Sequence, residues 1–327
     1  MYFIISIDTE EDNWDKYNEA PTYGNIRQIP KLQRLFDKYS VKPTYLVTFA
    51  VASHKESASI LKEINNKQIC EIGTHLHPWN TPPIREAINK KNSMLCNLPR
   101  NLQYEKLKSL HHQITEVFDA SPSSFRAGRY AFGNDMAYNL ERLNYSVDSS
   151  ITPFVDWSGF YGPNFSKFSI LKPYRFESTE IKKPTKGGAL LEVPITAGFR
   201  QSNFLLANYF LTHFKKKPFK YFHLIGILDR LKLLNFIRLS PELSNTEDMI
   251  SLINVMMKKE INVLNMTFHS TSLLPGCTEY VKSELELEQF LLTIEQTISR
   301  MLALGMTPIT LSDVLSNNLC CVTKNLL

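Results

Sequence analysis

Two hydrophobic rhythms alternate along the chain. Short apolar runs of the kind that make buried strands occur at Phe3–Ile7, in PTYLVTF, in ICEIGTH and, later, in ALLEVPIT and NVLNMTFH. Between them the apolar positions step by three and four, as on one face of a helix. Residues 26–39 show this at Ile29, Leu32, Leu35, Phe36 and Tyr39, and residues 102–118 at Leu107, Leu110, Ile114, Val117 and Phe118. Shorter helices are predicted near 55–66 and 134–143, with brief strands at SFRAG and YSVDSS. Ser283 and Glu286 form a capping-box pattern opening a long helix whose apolar face runs from Leu287 to Met301, and Gly305 marks its end. MTPITLSDVL reads as a last strand and turn. Such regular alternation predicts a parallel sheet covered by helices, open or closed into a barrel.

Two stretches break the rhythm, and long insertions in a compact domain usually carry function or cover a site. Residues 153–188 are rich in Pro, Gly, Ser and aromatics and read as an excursion over one face. Residues 203–238 interleave Phe and Leu with Lys215, Lys216, Lys217, Lys220, Arg230, Lys232 and Arg238, against the single acid Asp229. That composition suits either interfacial helices on an anionic membrane or a helical lid with solvated lysines. The organisation predicted is one barrel domain over 1–316 carrying both insertions, then a tail over 317–327.

Bulk properties narrow the function classes. The chain has 327 residues, 43% hydrophobic and 21% charged, which is globular in kind. A dispersed net charge of +5 and the lack of any nucleic-acid motif argue against nucleic acid as a partner. No run reaches the ~18 apolar residues of a membrane span. The first strand follows Met1 directly, so no cleavable leader is expected. Cys70, Cys96, Cys277, Cys320 and Cys321 are scattered without a CxxC pair, as reduced thiols would be. A cytoplasmic protein is the expectation.

The chemistry gathers where strands end. In parallel α/β folds reactive groups collect at the carboxyl ends of the strands. The first strand runs into Asp8, Glu10, Glu11 and Asp12, acids that repel unless a cation or a shared proton relieves them. This is either a solvated loop or a metal or acid–base site. The third strand ends in GTHLHPW, and period-two alternation puts His75 and His77 on one side of the chain, as in many metal sites and in some ordinary cores. The fourth supplies Arg126 and Arg129 from FRAGRY, the fifth Asp148, and NVLNMTF runs into His269. Trp79, Tyr130, Trp157, Phe160 and Tyr161 lie in loops at the same end, to stack on sugar rings or to pack the loops.

In order along the chain, ISIDTEE, EIGTHLHPW, SFRAGRYAFG, VDSSITP, LEVPIT and NMTFHSTSLLPG resemble the motifs of the polysaccharide deacetylase family, the NodB-homology carbohydrate esterases, in the branch whose first motif is Asp-x-Glu. The resemblance implies an α/β fold, a distorted (β/α)7 barrel of the polysaccharide deacetylase type, here with a basic-aromatic helical insertion. It implies a divalent metal, Zn2+ first, held by Glu10, His75 and His77. Asp8 would be the general base and Arg126 would hold it ionised. His269 would be the general acid with Asp148 as its carboxylate partner, while Glu11 and Asp12 face solvent. Trp79, Arg129 and Tyr130 would meet substrate, and N–H groups near Gly128–Tyr130 would face the oxyanion.

Two departures stand out: the paired histidines are two apart where the family commonly spaces them four apart, and Glu10 stands where Asp is usual. The implied reaction is removal of an N-acetyl or similar acyl group from an amino sugar of a glycan or lipid-linked glycan precursor, in surface polysaccharide assembly. Alternatives are a small-molecule linear or cyclic amide hydrolase of the same superfamily, or a silent barrel that binds glycan or a partner protein.

Overall fold

The computed structural model describes residues 1–17, 19–214, 226, 228 and 230–320. Strands β1 (Tyr2–Thr9), β2 (Thr44–Val47), β3 (Glu71–Leu76), β4 (Ser124–Ala127), β5 (Val147–Asp148), β7 (Leu190–Glu192) and β10 (Val263–His269) run parallel in the order β10-β1-β2-β3-β4-β5-β7. Strand β6 (Tyr174–Phe176) adds antiparallel to β7 at the far edge, and β11 (Thr307–Pro308) pairs with the start of β1. The sheet curls into a distorted barrel. Its ladder does not close, but single backbone hydrogen bonds cross the gap, from Thr196 N–H to Asn265 C=O, Leu239 N–H to Thr196 C=O and Thr267 N–H to Leu239 C=O.

Helices α1 (Ile29–Lys38), α2 (Phe49–Ser53), α3 (Lys55–Asn66), α4 (Arg100–Phe118), α5 (Asn134–Arg142), α7 (Thr246–Lys258) and α8 (Glu284–Ala303) bury their apolar stripes around the sheet. Ser283 caps α8 by accepting from the Glu286 N–H, and Gly305 ends it at φ +75°, where a side chain would be strained. Helix α7, capped by Asn245, is not anticipated by the pattern, because its mixed Met, Leu and Ile positions sit between two longer signals. Short α9 (Asp313–Ser316) follows β11.

Period-two alternation sorts β1 and β10 into two surfaces. Phe3, Ile5, Ile7, Leu264, Met266 and Phe268 point outward into the helix-covered core. Facing inward, Ile4 and Val263 join an apolar floor with Leu46, Val147, Leu191 and Leu311. Above that floor the interior turns polar, at Ser6 and Asn265, and then reactive, at Asp8 and His269, which lie side by side in the parallel register. Each strand is thus a short gradient from grease to charge.

The two insertions resolve differently. Residues 153–188 do not only cover a face; they contribute β6 to the sheet. Within 203–238, α6 (Phe204–Phe214) buries Phe204, Ala207 and Leu211 and leaves Leu205, Leu206, Tyr209 and Phe210 exposed. The hairpin β8 (Ala197–Phe199) with β9 (Phe236–Arg238) brackets the insertion. Lys215, Lys216, Lys217, Lys220 and Asp229 lie outside the described residues, as does the tail beyond Cys320. Among the described residues no helix is long and apolar enough to cross a membrane.

Candidate active site

Arg126 organises the mouth of the barrel. Its side chain is fully buried, and each of its five N–H groups has an acceptor: Ser149 C=O at 2.7 Å, Asp8 Oδ1 at 2.6 Å, Thr267 Oγ1 at 2.8 Å, Ser6 Oγ at 2.7 Å and Ser149 Oγ at 3.0 Å. A charge fixed this fully holds its partner equally firmly. Burial alone would raise the Asp8 pKa, yet the Arg126 guanidinium, with His75 and His269, overrides it and leaves the carboxyl below its ordinary value. Asp8 is a buried carboxylate kept ionised.

Beside it stand Glu10, His75 and His77, all buried, with one ligand atom of each within 4.8 Å of the others. His75 Nδ1 lies 3.1 Å from the Arg126 carbonyl and donates to it, which leaves the Nε2 lone pair facing Glu10 Oε2 at 3.8 Å and Asp8 Oδ2 at 3.9 Å. His77 Nε2 is 3.0 Å from Glu10 Oε2. Burial lowers the His75 pKa to about 4, and burial with the charge of Arg129 and the neighbouring imidazoles pushes His77 well below its usual value. Both rings are therefore neutral near neutral pH, the form in which an imidazole can ligate a metal. Burial also raises Glu10 well above the ordinary carboxyl range, with Glu11, Asp8 and Glu242 adding to the rise.

Two buried atoms here, Glu10 Oε1 and His77 Nδ1, have no hydrogen-bond partner. Two neutral imidazoles and an acid that lacks a counter-charge fit a divalent cation of the zinc type. The two-residue histidine spacing is thus no obstacle: alternation brings both rings to one side, 4.6 Å apart between centroids. Gly128 makes room, because a Cβ there would meet Leu76 O at 2.7 Å and His77 Nδ1 at 2.9 Å.

His269 ends β10 with its Nε2 3.8 Å from Asp8 Oδ2. Its carboxylate partner is not Asp148 but Glu242, whose Oε2 accepts from Nδ1 at 2.9 Å while Oε1 accepts from the His269 backbone N–H at 3.0 Å. Burial pulls the imidazole down, but Glu242, aided by Glu10 and Asp8, prevails and lifts its pKa to about 10. Asp148 lies further along the sheet, where Ser150 Oγ donates to it at 2.6 Å and where buried Glu192 is its neighbour in the parallel register, burial raising the pKa of both. The misassignment has a plain cause: Glu242 sits in the SPEL loop before α7, 27 residues from His269, with no periodicity to mark it.

Glu11 and Asp12 also depart from expectation. Glu11 is buried, accepting from Thr48 Oγ1 at 3.1 Å and Asn80 Nδ2 at 2.7 Å, and Asp12 accepts the backbone N–H groups of Gly24 and Asn25. Of the four opening acids, two face the cavity and two tie down its rim.

A cavity of about 530 Å3 opens over Asp8, Glu10 and His269. Trp157, Arg129 and Tyr130 line it, as does Trp14, a residue without a motif that lies nearly parallel to the His269 ring at 6.4 Å. Trp79 packs edge-on against His77, 4.3 Å between centroids, and Arg129 lies over it at 4.9 Å. Phe160 reaches the lining, whereas Tyr161 does not. The loop carrying Trp79 is held from below by Lys106 on α4, whose buried Nζ donates at 2.8 Å to the carbonyls of Pro78, Thr81 and Pro83.

No family model and no curated protein matches this sequence. Solved structures match in fold. The 4-alpha-glucanotransferase of Thermococcus litoralis superposes with a TM-score of 0.54 at 11% identity, covering 97% of this chain and 40% of that one. A family 4 acetyl xylan esterase from Clostridium thermocellum, solved with cobalt, gives 0.46 at 11% identity over 98% of this chain and 93% of that one. A CE4 family pseudoenzyme from Bacillus anthracis gives 0.44 at 11% identity, over 96% and 65%. Chains described as polysaccharide deacetylases and CE4 family members are also among the matched structures.

Proposed function

We propose that the protein is a metal-dependent N-deacylase acting on an amino sugar of a glycan or glycan precursor. One observation carries the reading: a metal-ready Glu10–His75–His77 cluster lies beside an acid held ionised and a histidine held protonated, their reactive atoms 3.8 Å apart. Amide hydrolysis needs such a pair, a base for the attacking water and an acid for the departing amine. Glu10, His75 and His77 would hold the ion, zinc first, which when bound supplies positive charge that acidifies water and polarises the acyl carbonyl.

Asp8 takes the proton of the attacking water, and Arg126 holds its oxygen in place. His269 delivers the Nε2 proton to the amide nitrogen as the C–N bond breaks, and Glu242 fixes the tautomer that makes this possible. Arg129 and Tyr130, both in left-handed backbone at φ +55° and +56°, turn the chain sharply in the cavity lining, and their N–H groups are the candidates to meet the oxyanion. Phe160, exposed in the cavity lining, offers a ring face for a sugar, whereas Trp79 lies outside the lining and backs Arg129 instead.

Acetate release from a panel of acetamido sugars, free and lipid-linked, with and without zinc, tests the reading. Zinc-dependent release that Asp8→Asn abolishes is expected. A protein that takes up no zinc and releases no acetate from any of them would leave only a binding barrel. The exposed apolar face of α6, followed in sequence by Lys215, Lys216, Lys217 and Lys220, supports peripheral docking on an anionic membrane, at its inner face if the protein is cytoplasmic. Co-sedimentation with anionic vesicles at low salt is then expected, and its failure removes that part.

A further inference from the structure

The charged groups lining the cavity are unevenly paired. Every carboxylate at the reacting end has a counterpart: Asp8 has Arg126, Glu242 has His269, and Glu10 has its place in the metal cluster. Two arginines that line the cavity have none. Arg129 donates Nη1 to the Ser93 hydroxyl at 3.0 Å, leaves its buried Nε without a partner, and lies in no ion pair among the described residues. Its guanidinium is held in place by rings, Trp14 at 5.3 Å, Tyr17 at 5.5 Å and Trp79 at 4.9 Å.

Arg238, at the end of β9, has no hydrogen bond or ion pair from its guanidinium among the described residues; it rests on Trp157 at 5.3 Å, which in turn stacks on Tyr130. Asp15 and Glu279 also line the cavity, but both are exposed at its rim and neither approaches either guanidinium within 4.0 Å. Holding two guanidinium groups on aromatic faces, short of acceptors, is costly unless a ligand completes them.

We propose that Arg129 and Arg238 together grip a phosphate ester on the substrate, so that the amino sugar enters as a glycosyl phosphate or diphosphate. A phosphate offers several anionic acceptors to planar donors approaching from different walls, and ring-backed guanidiniums are rigid enough to select it. The inference rests on the deacylase reading for the sugar but not for the anion, since the arginines would bind phosphate whether or not the acyl group is cleaved. Two sources share this chemistry, a nucleoside diphosphate and a polyprenyl phosphate carrier.

The experiment has two parts. Calorimetry with pyrophosphate on EDTA-treated full-length protein reads anion binding free of any metal. Binding is expected, weakened roughly ten- to hundredfold by Arg238→Gln, as for loss of a charge-assisted contact, and partly restored by Arg238→Lys. In parallel, acetate release by the zinc-loaded protein is compared for N-acetylglucosamine, a nucleoside diphosphate N-acetylhexosamine and a short polyprenyl phosphate N-acetylhexosamine. A charged substrate is expected to win in kcat/KM, Arg238→Gln should reduce that preference by a similar factor, and the better of the two charged substrates names the carrier.

Pyrophosphate binding with no acetate release from any substrate would sink the deacylase reading and leave the anion site standing. Acetate release without charge preference, together with no pyrophosphate binding, would overturn the anion site and leave the deacylase. Thermal midpoints close to wild type for both Arg238 variants exclude misfolding as the cause.

Discussion

One acid at the mouth of the barrel and a pair of acids further along the same curled sheet behave in opposite ways. At the mouth, Asp8 is buried against a guanidinium whose five donors are all engaged, and its pKa falls below the ordinary value. Further along the sheet Asp148 and Glu192 are equally buried and lie against each other. Burial raises Asp148 to about 6, and burial together with Asp148 raises Glu192 well above its usual range. All three are buried carboxyls; the difference is the direct ion pair with Arg126, which Asp8 makes and Asp148 and Glu192 do not. A buried carboxyl becomes a base only where a cation is built in beside it, and otherwise it keeps a proton.

The comparison is broken most severely by removing the cation. Arg126→Met should leave Asp8 buried and uncompensated, costing about 3–5 kcal/mol in urea unfolding and abolishing turnover. The double variant Asp8→Asn/Arg126→Met should recover part of that stability, and strict additivity in this cycle would show that the pair is not coupled. Next in size is the proposed metal site. Gly128→Ala must displace the His77 ring, and zinc affinity read by competition with a chelator should fall roughly 10–100-fold, as when a supporting group around a metal ligand is lost.

Glu242→Gln sharpens the contrast from the histidine side. A general acid works while protonated, so with His269 lifted to about 10 activity should persist until pH rises through about 10. The variant removes the largest influence lifting that value, so the alkaline limb of the pH–rate profile should move toward neutrality. A limb that stays in place would mean another group donates the proton. The smallest effect concerns the Asp148–Glu192 pair. Its folded-state values are raised, so between roughly pH 4 and pH 6 and beyond the folded chain keeps a proton that the unfolded chain releases. Stability should therefore decline as pH rises through that window, and Asp148→Asn should flatten the dependence of thermal midpoint on pH.

What could be read from the sequence follows from what is local. The β1 and β10 alternation, the αR stripes of α1, α4 and α8, and the reactive residues at strand ends are written in periodicity, and Asp8, Glu10, His75, His77, Arg126 and His269 do converge. Pairings across the barrel are not written that way. Glu242, Trp14 and Arg238 come from loops and short strands whose neighbours are set by the closing of the sheet, so Asp148, at a strand end, took the place of Glu242. A run of acids reads as a solvated loop, so the burial of Glu11 against Thr48 and Asn80 is visible only once α2 and the 77–86 loop come together.

Lys106 carries a consequence of its own. The segment His77–Pro83 has few backbone donors, since prolines occupy three of its positions, and its carbonyls converge on a single ammonium inside α4. The tryptophan wall is therefore moored to the scaffold at one point, beneath the surface and away from any ligand. A neutral residue at that mooring would leave Asp8, Arg126 and His269 in place and yet let the loop carrying Trp79 drift, so that recognition would blur before the proton transfers did.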